Sequence, residues 1–165
     1  MGSTPLGTVR AMPLNNVIKK FEKSRDQLGI APDEQILVGC MTDPKAVVGM
    51  AIGGVAGAAV QSAIDRKQDD RSTDEGLAAG WPTGRHLLAI TSQRVIVCRM
   101  SAMTGRPKEV VAEWPHGDIA AFEIEKKTTG YPFAITFVDG SVARGEGARG
   151  TGADLLGDTA ASIWP

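Results

Sequence analysis

The stretch His86-Leu87-Leu88-Ala89-Ile90-Thr91-Ser92-Gln93-Arg94-Val95-Ile96-Val97-Cys98-Arg99 decides the fold. Two β-rich runs flank a short polar break, which predicts a β-hairpin. The sequence on either side predicts more short strands, and the order of those strands carries the architecture.

Downstream, Gly105 and Pro107 mark residues 101–108 as a loop. Residues 109–114 alternate as a strand, and Pro115-His116-Gly117-Asp118 is a turn. A strand over 119–125 follows, with Ala120, Phe122 and Ile124 expected to face inward. Residues 126–132 form a loop and 133–138 a strand. Asp139-Gly140 is a strong hairpin-turn signal before a return strand over 141–145. Residues 151–164 predict a final helix with Leu155, Leu156, Ile163 and Trp164 as its buried stripe.

Upstream, Pro5, Pro13, Gly2 and Gly7 predict a loosely held start over residues 1–13. Residues 14–28 predict a helix capped by Asn15 or Asn16, with Val17, Ile18, Phe21 and Leu28 near one face. Lys19, Lys20, Lys23 and Arg25 lie mostly elsewhere. This pattern fits an amphipathic helix docked on the domain, or a basic helix at a membrane surface. Gly29 ends the helix, and the apolar run 35–41 predicts the first strand, broken by Asp43-Pro44.

The segment 46–64 is uncharged, and Gly49, Gly53 and Gly57 recur every fourth residue. On a helix these glycines share one side and allow close approach of another helix backbone. At about 1.5 Å per residue such a helix nearly matches the ~30 Å hydrocarbon core of a bilayer. A simple single span is the weaker reading. If 35–41 pairs in one sheet with the later strands, both ends of the segment must lie on one side of any membrane. Packing within an oligomer, a re-entrant or interfacial helix, and a flexible arm are the remaining options. The following stretch to Gly80 is charged and reads as a linker.

Size and charge exclude several classes. A chain of 165 residues suits one domain with a core that needs no disulfide staples. With 18 basic against 19 acidic residues, no nucleic-acid partner is expected. Cys40 and Cys98 share no metal or redox spacing and read as small buried hydrophobes. Residues 1–12 lack the pattern of a secretory signal, so a cytoplasmic location is expected, with membrane association as the alternative.

Catalytic chemistry finds little support. Gly145-Glu146-Gly147-Ala148-Arg149-Gly150 has dinucleotide-fingerprint spacing, but too few residues follow it for a βαβ unit. It predicts a loop before the final helix, where Arg144 and Arg149 could assist anion binding. His86 and His116 are the only histidines, and Asp118 beside His116 lacks a nucleophile elbow to serve. No catalytic residue, cofactor site or metal site is predicted.

The order of elements resembles the pleckstrin-homology (PH)-like superfold, as in bacterial PH-domain families of unknown function. Residues 88–97 resemble the lTxxRlxv hairpin of those families, Asp118-Ile119 with Phe122 their fifth-strand opening, and Phe137-Val138-Asp139-Gly140 their last hairpin turn. The resemblance implies an α+β, mainly β fold: a bent seven-stranded antiparallel barrel capped by the C-terminal helix. An N-terminal arm and helix over 1–32 would precede a PH-like domain over 33–164, interrupted by a glycine-rich helical insert over 43–85. The first strand lacks the Lys and Arg with which lipid-binding PH domains hold phosphoinositides. The expected function is a non-enzymatic binding or assembly module that contacts a protein partner or itself, as a homo-oligomer, through Gly49, Gly53 and Gly57. The alternative is a peripheral membrane or lipid-binding module.

Overall fold

The computed structural model describes residues 16–43 and 75–165. The predicted glycine helix over 46–64, with Gly49, Gly53 and Gly57, lies outside the described residues. The chain runs α1 (Asn16–Lys23), β1 (Ile36–Asp43), a 3₁₀ turn (Gly76–Gly80), β2 (His86–Thr91), β3 (Arg94–Met100) and β4 (Pro107–Pro115). It continues with a second 3₁₀ turn (His116–Asp118), β5 (Ile119–Ile124), β6 (Tyr131–Phe137), β7 (Val142–Gly147) and α2 (Ala153–Ile163).

The seven strands form one sheet in the order β4-β3-β2-β1-β7-β6-β5, and every neighbouring pair is antiparallel. The predicted first strand therefore does join the sheet of the later strands. β1 pairs with β2 along its length and with β7 only at Thr42 and Asp43. The sheet bends so that its two ends share one core. Trp114 of β4 lies 5.2 Å, ring centre to ring centre, from Phe137 of β6.

Strands β2 and β3 are buried on both faces, which is why they read as continuous apolar runs rather than alternations. On the inner face Leu88, Ile90, Val95 and Val97 join the main core with Phe133, Ile135 and Leu156. On the outer face Leu87, Ala89, Ile96 and Cys98 pack under Val17, Ile18 and Phe21 of α1. Each of those three helix side chains contributes roughly 1.5–3 kcal/mol of burial. Gly39 makes the close approach possible, since a Cβ there would stand 3.0 Å from Val17 Cγ1. The amphipathic helix expected to dock on the domain does so, with its apolar face packed on the sheet.

Several boundaries differ from the sequence expectation. The helix expected to reach residue 28 stops at Lys23 and gives way to tight turns, such as Leu28 N–H to the Ser24 carbonyl at 3.0 Å. The Arg25 guanidinium draws the following loop in, donating to the carbonyls of Ala31 and Glu34 at 2.7 Å each. In β5 Phe122 and Ile124 face the core as expected, but Ile119 joins them and Ala120 is exposed. A register shift between Ile119 and Ala121 breaks the alternation that the expectation assumed. β7 extends to Gly147, so Gly145 and Gly147 are strand residues rather than a loop. In α2 the fully buried side chains are Ala153, Leu156 and Ala160, with Leu155, Ile163 and Trp164 packed at the margin.

The insertion runs between β1, which ends at Asp43, and β2, which begins at His86, but its last part is not a linker. Asp43 closes β1, and residues 76–81 belong to the folded body: Ala78 is buried, and Leu77 and Trp81 pack against the core. The linker reading failed there because Leu77-Ala78-Ala79 is too short an apolar run to stand out from its charged neighbours.

Candidate interaction site at the ends of the insertion

The insertion departs from the sheet at a defined row. Thr42 of β1, His86 of β2, Arg99 of β3 and Glu109 of β4 stand side by side across four strands. Next to this row Asp43 Oδ1 meets Arg85 Nε at 2.5 Å, so the strand leaving the sheet is pinned to the segment that returns. His86 Nδ1 lies 3.0 Å from the Gly84 carbonyl. A carbonyl only accepts, so the imidazole carries its proton on Nδ1 there.

The return is anchored by a second set of bonds. Leu77 N–H donates to Asp139 Oδ2 at 2.7 Å, and Ala78 N–H donates to Ser141 Oγ at 3.0 Å. Trp114 Nε1–H donates to the Leu77 carbonyl at 3.0 Å. Asp139 is exposed, yet its carboxyl lies below its ordinary value because the Ser141 hydroxyl and the Leu77 and Ser141 amides donate to it. Gly76 is required at this point: its φ is +68°, and a Cβ would fall 2.3 Å from Asp139 Oδ2.

Trp81 completes the anchor. It stacks on Trp114 at 5.8 Å and meets Phe133 edge-on at 5.7 Å. Phe133 touches Phe122, and Phe122 stacks on Trp164 at 5.9 Å. One aromatic chain thus runs from the returning segment through the core to the end of α2. α2 packs against β1 and β5, while the 3₁₀ turn lies between β4 and the β6–β7 turn.

The hairpin motif proves to be structural. Thr91 Oγ1 accepts from the amides of Gln93 and Arg94 at 3.2 and 3.0 Å, which shapes the turn. The hydroxyl proton goes to Glu34 Oε1 at 2.6 Å. Arg94 grips both oxygens of Glu34, pairs with Glu113 and donates to the Gly29 carbonyl. Burial raises the Glu34 carboxyl, but the bonds from Arg94 and Thr91 outweigh it and hold the group below its ordinary value. Sequence reasoning missed Glu34, for its only local signal is a charged residue beside a strand.

The predicted anion-binding pair is placed as follows. Arg144 is half-buried on β7 opposite Ala134 of β6. Arg149 is exposed beyond the strand end and donates to the Thr128 carbonyl. Between them the glycines serve packing: a Cβ at Gly145 would come 2.6 Å from Phe133 Cζ, and one at Gly147 would come 2.7 Å from Ala153 Cβ. α2 begins with Asp154 in its first turn, a carboxylate beside the amides an anion would need.

Other titratable groups stand apart. Cys40 lies in the inner core and Cys98 in the outer one, on opposite faces of the sheet. Burial pushes each thiol up to about 12. His116 packs edge-on against Trp164 at 5.1 Å, and its carbonyl accepts from Trp164 Nε1. Among the described residues no cluster of His, Cys, Asp and Glu could hold a metal ion, and no helix is long and apolar enough to cross a membrane.

Neither known protein families nor curated proteins give a match to this chain.

Proposed function

We propose that the chain is a PH-like, non-enzymatic assembly module that presents residues 44–74 as its contact element. The observation that carries this reading is the double anchorage of the insertion. It leaves at the Asp43–Arg85 ion pair and returns through Leu77, Ala78 and Trp81, all bonded or packed on one barrel. Both ends of the insertion are thus fixed to one folded body.

PH-like architecture is supported by the seven antiparallel strands, the bent sheet and the C-terminal helix whose Leu156 and Ala160 enter the core. Self-association is supported by the spacing of Gly49, Gly53 and Gly57, which on a helix would admit a second copy at backbone distance.

Light scattering on the purified full chain tests the reading. The native protein is expected as a discrete oligomer and Gly53→Leu as a monomer or a smaller species. A native monomer at micromolar concentration would overturn it.

A further inference from the structure

The 3₁₀ turn Gly76–Gly80 and the adjoining Trp81 sit on the body as a bound peptide would. Three hydrogen bonds fasten the turn, and each joins one of its backbone groups to a side chain of the body. Asp139 Oδ2 accepts from the Leu77 amide, Ser141 Oγ accepts from the Ala78 amide, and Trp114 Nε1–H donates to the Leu77 carbonyl. The Trp81 amide donates within the turn, to the Ala78 carbonyl at 2.9 Å. The turn is no part of the seven-stranded ladder. Its backbone is read by side chains rather than built into the sheet.

Burial follows the same pattern. Ala78 is 1% exposed, Leu77 and Trp81 are half-buried, and Gly76, Ala79 and Gly80 are exposed. Two side chains therefore carry most of the fit. The small one of Ala78 enters the core, and the Trp81 ring lies on Trp114 and against the Phe133 edge.

The receiving groups are placed by contacts other than the turn. Asp139 Oδ1 accepts from both the amide and the hydroxyl of Ser141. Trp114 pairs with Val95 of β3 and packs on Phe137, and Phe133 pairs with Gly145 of β7. A site organised before its occupant arrives loses little freedom on binding. The occupant itself is bracketed by two glycines at positive φ, Gly76 at +68° and Gly84 at +90°. Glycine changes between left- and right-handed conformations without steric cost, so both positions suit a hinge.

We propose that the seam between β4 and the β6–β7 turn is a peptide-binding site that residues 76–81 occupy in cis. The partner is a protein segment with a leucine–alanine pair followed, three residues after the alanine, by tryptophan. The chain's own segment is then a strap. It lifts about Gly76 and Gly84, while Arg85, beyond the second hinge, keeps its ion pair with Asp43. Partner and strap compete for the same three bonds and the same aromatic surface, so binding releases Trp81. The site operates whether or not the chain self-associates through its glycines.

Nuclear magnetic resonance on the isotope-labelled full chain tests this, with an unlabelled, end-blocked peptide of the sequence of residues 76–81 as the probe. Trp81→Ala vacates the aromatic surface and leaves Asp139, Ser141 and Trp114 in place. That variant should bind the peptide saturably, with a shift of the Trp114 indole N–H signal. A peptide with alanine in place of its tryptophan should not bind. The Trp81→Ala/Asp139→Ala double variant should bind the full peptide several-fold more weakly than Trp81→Ala. With the strap closed in more than about nine molecules of ten, the wild type should bind roughly tenfold or more weaker than Trp81→Ala. The proposal is overturned by no saturable binding to Trp81→Ala at about 1 mM peptide, by equal binding to wild type and Trp81→Ala, or by binding indifferent to the peptide's tryptophan. Circular dichroism checks that the variants stay folded, and the wild type offers a test without substitution. Its Leu77 and Ala78 amides should exchange with solvent by local opening, faster than those of β2 and β3. Exchange as slow as in those strands would mean that the strap does not lift, and would also overturn the proposal.

Discussion

Arg94 meets both carboxylate oxygens of Glu34, at 3.0 and 3.1 Å, across 60 residues of sequence. The side chain of Glu34 is only 2% exposed, so the pair holds a carboxylate that water cannot serve. Through Arg94 it ties the loop after α1 to the β2–β3 turn and, by Glu113, to β4.

Arg94→Ala should therefore be among the most destabilising substitutions near the surface. It leaves the Glu34 charge buried with only Thr91 as a side-chain partner, at a cost of about 3–5 kcal/mol. Urea unfolding followed by tryptophan fluorescence measures this. A loss within the ordinary surface range of about 0.5 kcal/mol would contradict the structural role.

Acid should act through the same pair. The folded Glu34 carboxyl lies below its unfolded value, so its contribution to stability is present above an unfolded pKa of about 4.3 and lost as pH falls through the folded one. Wild type should lose more stability than Glu34→Gln between about pH 6 and pH 3. Parallel pH responses in the two proteins would refute this.

Thiol accessibility gives a third check. Both cysteines are buried with thiols pushed up to about 12. Ellman's reagent at about pH 8 should find no reactive thiol in the folded protein and both after denaturation. Rapid labelling without denaturant would show that one of the two cores is open.

The anchor of the returning segment can be loosened by one change. Asp139→Ala removes the acceptor of the Leu77 amide and the partner of Ser141. Hydrogen exchange at Leu77 and Ala78 should accelerate while β2 and β3 stay protected. Exchange unchanged at Leu77 would mean that Trp81 packing alone holds the segment.

Packing around the glycines predicts a fifth outcome. Gly147→Ala forces a Cβ against Ala153, which is fixed in α2, and should cost about 1–3 kcal/mol in thermal or urea unfolding. Unchanged stability would show that α2 can shift freely on β7.

Much of this fold was legible because local patterns agreed with tertiary needs. The apolar runs on either side of Ser92-Gln93 gave β2 and β3, and the spacing of Val17, Ile18 and Phe21 gave α1 and its buried face. The rest depended on partners distant in sequence. Nothing near Glu34 announces Arg94, and nothing near Leu77 announces Asp139. In β5 the inward Phe122 and Ile124 were legible, whereas Ile119 and Ala120 were not, because the bulge between Ile119 and Ala121 turns Ile119 to the same side as Phe122. Gly145 and Gly147 form a nucleotide-like spacing in one dimension, whereas in three they are contacts with Phe133 and Ala153.

The central place of β1 has a consequence for how the chain could be divided. β1 lies between β2 and β7, α1 covers its outer face, and Arg94 reaches the loop that precedes it. None of those ties passes through residues 44–74. A chain severed within that interval should therefore remain one particle, its two pieces recognising each other through strand pairing. Separately expressed halves ending at Asp43 and beginning at Glu75 would then behave as complementing fragments. The platform would become a sensor for whatever brings its pieces together.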